Sequence, residues 1–142
     1  VAEAAVPKRP LHWPRKATRA HLHWLADQHD VEIDWITDKW EAACSVSARL
    51  VSVPRPLDAS RYIVALHEFG HILHPKARRG HKAKRFDEAM AVEAYAWAWA
   101  VEHVIPEARP FYAEREWRLM SQALCSHLLY NDGVPWPDGW SA

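Results

Sequence analysis

His67-Glu68-Phe69-Gly70-His71 places two imidazoles four residues apart with a carboxylate beside the first. On a helix, four residues advance about 6 Å along the axis and return to nearly the same face, so both imidazoles can point at one zinc ion. Glu68 falls on the adjoining flank, where it is suited to a different role, taking the proton of a zinc-bound water as that water attacks a carbonyl. The chemistry this spacing supports is metal-assisted hydrolysis, most naturally of a peptide bond. The five residues are embedded in VALHEFGHIL, an apolar segment in which unpaired imidazoles and a carboxylate would be costly to bury.

A catalytic zinc takes three protein ligands and keeps a fourth position open for water. His74, three residues past His71 and about 300° round the helix from it, is one candidate for the third ligand. Glu88 and Glu93, on the next apolar segment, are the others. Glu93 is favoured because Ala96 and Ala100 follow it on its face and would let that helix pack closely against the motif helix. Glu88 falls in a first helical turn, where interaction with the helix dipole is a sufficient role; as a ligand it stays open. Tyr62, Tyr95 and His103 are candidate transition-state or cleft residues, each with ordinary packing or a surface position as its alternative.

These residues need elements to position them. Asp58 and Ser60 are capping residues, and after them Ile63, Leu66, Phe69, Gly70 and Leu73 recur at helical spacing until Pro75, which predicts the motif helix. Gly70 leaves room on its surface for a neighbour to press close. Asp87 is expected to cap a long Ala/Trp helix that ends at Pro106, with Trp97 and Trp99 on nearly opposite faces, one entering the core. Upstream, a first helix is expected from a cap at Thr18 to about His29. Val31, Ile33 and Trp35 alternate with Glu32 and Asp34 as in a half-buried strand, and the β-branched stretch from Cys44 to Val53 reads as a second strand. A last helix is expected from about Pro110 to Asn131.

The expected architecture is therefore α+β: a single domain over residues 16–132, with a small mixed or antiparallel sheet of two or three strands beside the HExxH helix. It is preceded by a Pro-rich extended arm (1–15) and followed by a tail (133–142). At 142 residues, 49% hydrophobic and 25% charged, the chain has the composition of one globular domain and not of a disordered or low-complexity protein. Basic and acidic residues number 18 each, and zero net charge argues against a general polyanion binder. The basic run KARRGHKAKR, residues 76–85, is read as a solvated loop joining the two ligand-bearing helices; nucleic-acid contact, the alternative, would rest on it. His12, His21 and His23 are too irregularly spaced for a second metal site. Cys44 and Cys125 form neither a CxxC pair nor a disulfide framework, which suits a reducing compartment. No apolar run resembles a signal peptide or a membrane span, so a cytoplasmic protein without membrane partners is expected.

HEFGH followed by EAYAWAWAVEHVIP resembles the ImmA/IrrE-type metallopeptidases of the gluzincin group, whose zinc motif is followed by ExxAxxFAxxLLxP. Glu93, Ala96, Trp99, Ala100, Val104 and Pro106 fall on the positions of that pattern, and the resemblance covers roughly residues 49–106. It implies a zincin-like fold with one zinc per chain, held by His67, His71 and Glu93, and Glu68 as general base. It further implies a protein substrate, a DNA-binding repressor in relatives from prophages, mobile elements and stress responses, with the peptide added as a strand at the sheet edge beside the motif helix. Trp97 replaces a small polar residue of the pattern, His103 stands where an aliphatic residue is usual, and no helix-turn-helix domain is expected within these residues. A zinc-binding regulator or adaptor of the same fold that cleaves nothing is the alternative reading.

Overall fold

The computed structural model describes residues 12–37, 42–74 and 86–112, of which 86–91 as backbone alone. Along the chain run helix α1 (Arg15–His29), strands β1 (Glu32–Ile36), β2 (Ala43–Ser45) and β3 (Leu50–Pro54), helix α2 (Ala59–Leu73) and helix α3 (Phe86–His103), followed by a 3₁₀ turn at Arg109–Tyr112. The architecture is α+β, with a three-stranded mixed sheet in the order β1-β3-β2. Strand β3 is central: β1 pairs with it in parallel, Ile33 opposite Val51 and Trp35 opposite Val53, and β2 pairs antiparallel, Cys44 opposite Val51. The arm as far as residue 11, the basic run 76–85, the expected last helix beyond residue 112, the tail 133–142 and Cys125 lie outside the described residues.

The sheet differs from expectation in one respect. The stretch Cys44 to Val53, read as one strand, is a hairpin: β2 stops at Ser45 and the chain turns through residues 46–49. No Gly, Pro or Asn marks this turn. Ser45 Oγ accepts from the Ala48 N–H at 3.3 Å instead, and Arg49 takes the left-handed backbone conformation at φ 51°. Arg49 then ties the hairpin to the end of α1, its guanidinium donating to the carbonyls of His29 and Asp30. Asp30, also left-handed at φ 54°, closes α1 with its N–H on the Ala26 carbonyl.

Helix α1 starts three residues before the expected cap. Thr18 is buried inside it, and its hydroxyl donates to the Pro14 carbonyl one turn back at 2.8 Å. Trp13, within the segment read as an extended arm, packs on Tyr62, Phe111 and Tyr112 with ring centroids 5.2–6.0 Å apart. Helix α2 follows the capping expectation: Asp58 is extended and its carboxylate accepts from the Arg61 N–H at 2.8 Å.

Helix α2 touches α1, α3, β2 and β3 and buries most of its circumference, through Tyr62, Ile63, Ala65, Leu66, His67, Phe69, Gly70 and Ile72. Its most extensive packing is against α3. There the backbones meet: a Cβ at Gly70 would lie 2.7 Å from Ala96 Cα, so only glycine fits. Beyond α3, Tyr112 donates its hydroxyl to the Ala59 carbonyl at 2.7 Å and returns the chain to the start of α2.

Candidate metal centre

The motif helix and α3 face each other where Gly70 meets Ala96, and the polar groups gather on that seam. His67 and His71, one turn apart on α2, bring their Nε2 atoms to 3.1 Å from each other. Glu93, one turn before Ala96 on α3, closes on the pair, with Oε2 2.8 Å from His67 Nε2 and Oε1 3.1 Å from His71 Nε2. Two nitrogens and a carboxylate thus point at one another. Each Nε2 can donate to its own oxygen of the Glu93 carboxylate, but the two ring nitrogens then face each other with no acceptor between them.

Burial alone would disfavour charge on His67, yet the carboxylates of Glu68 and Glu93 raise its pKa above the ordinary value. Burial works against charge on Glu93 too, but hydrogen bonds from His67 and His71 hold it far below the usual carboxylate range. Glu68 lies on the other side of His67, its Oε1 3.5 Å from Nδ1.

His67, Glu68 and His71 offer ligand atoms within 4.8 Å of one another, a group that could hold a metal ion. The donor set fits such an ion. Ligand atoms around a tetrahedral zinc at about 2.0–2.1 Å are separated by about 3.3 Å, close to the 2.8–3.1 Å seen among His67, His71 and Glu93. Of the two carboxylates, Glu93 contacts both Nε2 atoms, whereas Glu68 approaches the far side of the His67 ring.

Comparison with known proteins adds nothing to this geometry. No family model, curated protein or solved structure matches the chain.

The other candidates are placed elsewhere. The Tyr62 hydroxyl is fully buried, 2.7 Å from His21 Nδ1 and accepting from the Ile105 N–H at 3.3 Å, so it joins α1 and the end of α3 to α2. Tyr95 directs its hydroxyl to the Leu73 carbonyl at 3.5 Å and meets the His74 ring edge-on at 4.7 Å. His103 donates Nδ1–H to the Trp99 carbonyl at 2.7 Å and stacks on the Trp99 ring, 3.8 Å between centroids. None of the three has a polar contact with the His67, His71 and Glu93 cluster; Tyr62 and Tyr95 tie α2 to its neighbours, and His103 folds back on its own helix. The side chain of Glu88 lies outside the described residues.

Two neighbours of the cluster were not among the candidate site residues. Cys44, brought in on β2, is half-buried; burial and the neighbouring Glu68 carboxylate push its thiol pKa up, so it stays protonated. Nothing in the order of residues links positions 24 apart. Trp97 lays its indole flat on His67, with centroids 4.0 Å apart and planes 22° apart. Its spacing of four from Glu93 was a usable signal, since it puts both on one face of α3.

Proposed function

We propose that the chain is a zinc-dependent metallopeptidase that hydrolyses a peptide bond in a protein substrate such as a DNA-binding repressor. The observation that carries this reading is the reach of Glu93 to both imidazoles of the HExxH pair, at 2.8 and 3.1 Å, which completes a His₂Glu donor set. His67, His71 and Glu93 would hold one zinc ion. When bound, zinc supplies Lewis acidity, acidifying a water and polarising a carbonyl oxygen.

The remaining chemistry belongs to the chain. Glu68 takes a proton from the attacking water and delivers it to the leaving amine as the C–N bond breaks. The Cys44 thiol, kept protonated beside Glu68, is placed to donate to that carboxylate. The close contact of Gly70 with Ala96 fixes the separation of the helices that carry the ligands. A cytoplasmic location fits a repressor substrate, and among the described residues no helix is long and apolar enough to cross a membrane.

The test is cleavage of candidate repressors, followed by mass spectrometry of the fragments. Glu68→Gln is expected to retain the metal and to lose on the order of 10²–10⁴-fold in rate. A Glu68→Gln protein that cleaves as fast as wild type would contradict the assignment. Biological activity undiminished in that variant would favour a zinc-binding adaptor.

A further inference from the structure

We infer that Trp97 is the positioning residue for His67, fixing its ring by stacking in place of the hydrogen bond that normally orients a metal-bound histidine; this rests on the zinc reading above. A metal-ligating imidazole ordinarily donates its second N–H to a carboxylate, a carbonyl or water, and that bond sets both tautomer and ring plane. In His67, Nε2 faces His71 and Glu93, so that bond would have to come from Nδ1. That atom is buried and has no hydrogen-bond partner. Glu68 Oε1 stands 3.5 Å away, beyond the range of an N–H···O bond, which leaves the Glu68 carboxylate for proton transfer.

The ring is held by its faces. The Trp97 indole covers it at 4.0 Å and 22°, and the His71 ring meets it edge-on at 4.5 Å and 79°. Trp97 is only 8% exposed and its neighbour Ala96 is pressed against Gly70, so the indole has little room to swing away. One face of α3 therefore supplies the ligand carboxylate at Glu93 and, a turn later, the clamp on a ligand from α2. The electrostatics favour the loaded state. An imidazole that binds a dication through Nε2 carries added positive charge, and the negative face of an indole attracts it more strongly than it attracts a neutral ring. The same indole keeps water from that side of the ring.

The test is zinc affinity, measured by competition with a chromophoric chelator, for wild type, Trp97→Phe and Trp97→Met, with thermal unfolding of each metal-free form. Phenylalanine keeps an aromatic face over His67, whereas methionine keeps apolar bulk without one. Wild type and Trp97→Phe are expected to bind one zinc with similar affinity, and Trp97→Met to bind it about 10- to 100-fold more weakly, the usual effect of losing a group that orients a ligand. Should Trp97→Met fail to fold, Trp97→Tyr and Trp97→Leu make the same contrast. A folded non-aromatic variant with wild-type affinity, or an aromatic variant as weak as the non-aromatic one, would overturn the role of Trp97 and leave the zinc reading standing. A wild-type protein that takes up no zinc would overturn both.

Discussion

The proton on His67 in the metal-free chain competes with a metal for the same nitrogen, and its hold has identifiable causes. Burial disfavours it, but Glu68 and Glu93 outweigh burial and raise the pKa above 6.5. Glu93, despite burial, is held well below 4.5 by His67 and His71. In the metal-free protein the contribution of His67 to stability is fully present below pH 6.5 and is lost as pH rises through its raised value. That of Glu93 is present above pH 4.5 and is lost as pH falls through its depressed value. A metal reverses the His67 part, because it requires the unprotonated nitrogen and releases the proton. The rise in melting temperature on adding zinc should therefore be larger at about pH 8 than at about pH 6. Melting curves with zinc and with a chelator at both values check this, and an increment that does not change with pH would contradict it. At this scale the motif residues were legible because their chemistry needs only a spacing of four. The stacking of Trp97 on His67 was legible only in part: spacing puts Trp97 on the face of Glu93, but does not say which ring of α2 it meets.

Helix α2 is the element on which the site depends, and much of it could be read in advance. Asp58 as cap, the apolar positions from Ile63 to Phe69 and the stop before Pro75 are local signals, and they gave a helix that ends at Leu73. Gly70 was expected to admit a close neighbour; the neighbour is the Ala96 backbone. Gly70→Ala would force α2 and α3 apart, at an expected cost of about 1–3 kcal/mol in stability. It should also weaken metal binding, because His67 and His71 lie on one side of that seam and Glu93 on the other. Denaturant unfolding and metal titration of the variant test both effects, and a variant with unchanged stability would show that the helices do not need this approach. The sheet was less legible. Its turn at residues 46–49 uses a serine side chain and a left-handed arginine, not the glycine or proline that would have announced it. That turn is what brings Cys44 beside Glu68.

Over the whole molecule, the described residues wrap α2 on several sides: α1 and the β2–β3 hairpin, then α3, whose return turn is tied back by Tyr112. Charge is balanced overall, and among the described residues His67, His71 and Glu93 gather at the seam of α2 and α3. Tyr62 shows why residue type alone misleads about function. A hydroxyl shortly before an HExxH motif invites a catalytic role, yet it serves as a buried tie between His21 and the end of α3. Whole-chain arrangement decides between the two uses; the pairing of Glu93 with the motif was foreseeable from the alanines that follow it. The central claim is that two helices bring His67, His71 and Glu93 together to hold a zinc ion. It is tested most directly by mass spectrometry of bound metal in wild type, Glu93→Ala and Glu88→Ala, purified side by side and then reconstituted with zinc. One zinc per chain in wild type and Glu88→Ala, lost in Glu93→Ala, is the expected result; no zinc in the reconstituted wild type, or full occupancy in Glu93→Ala, would contradict it.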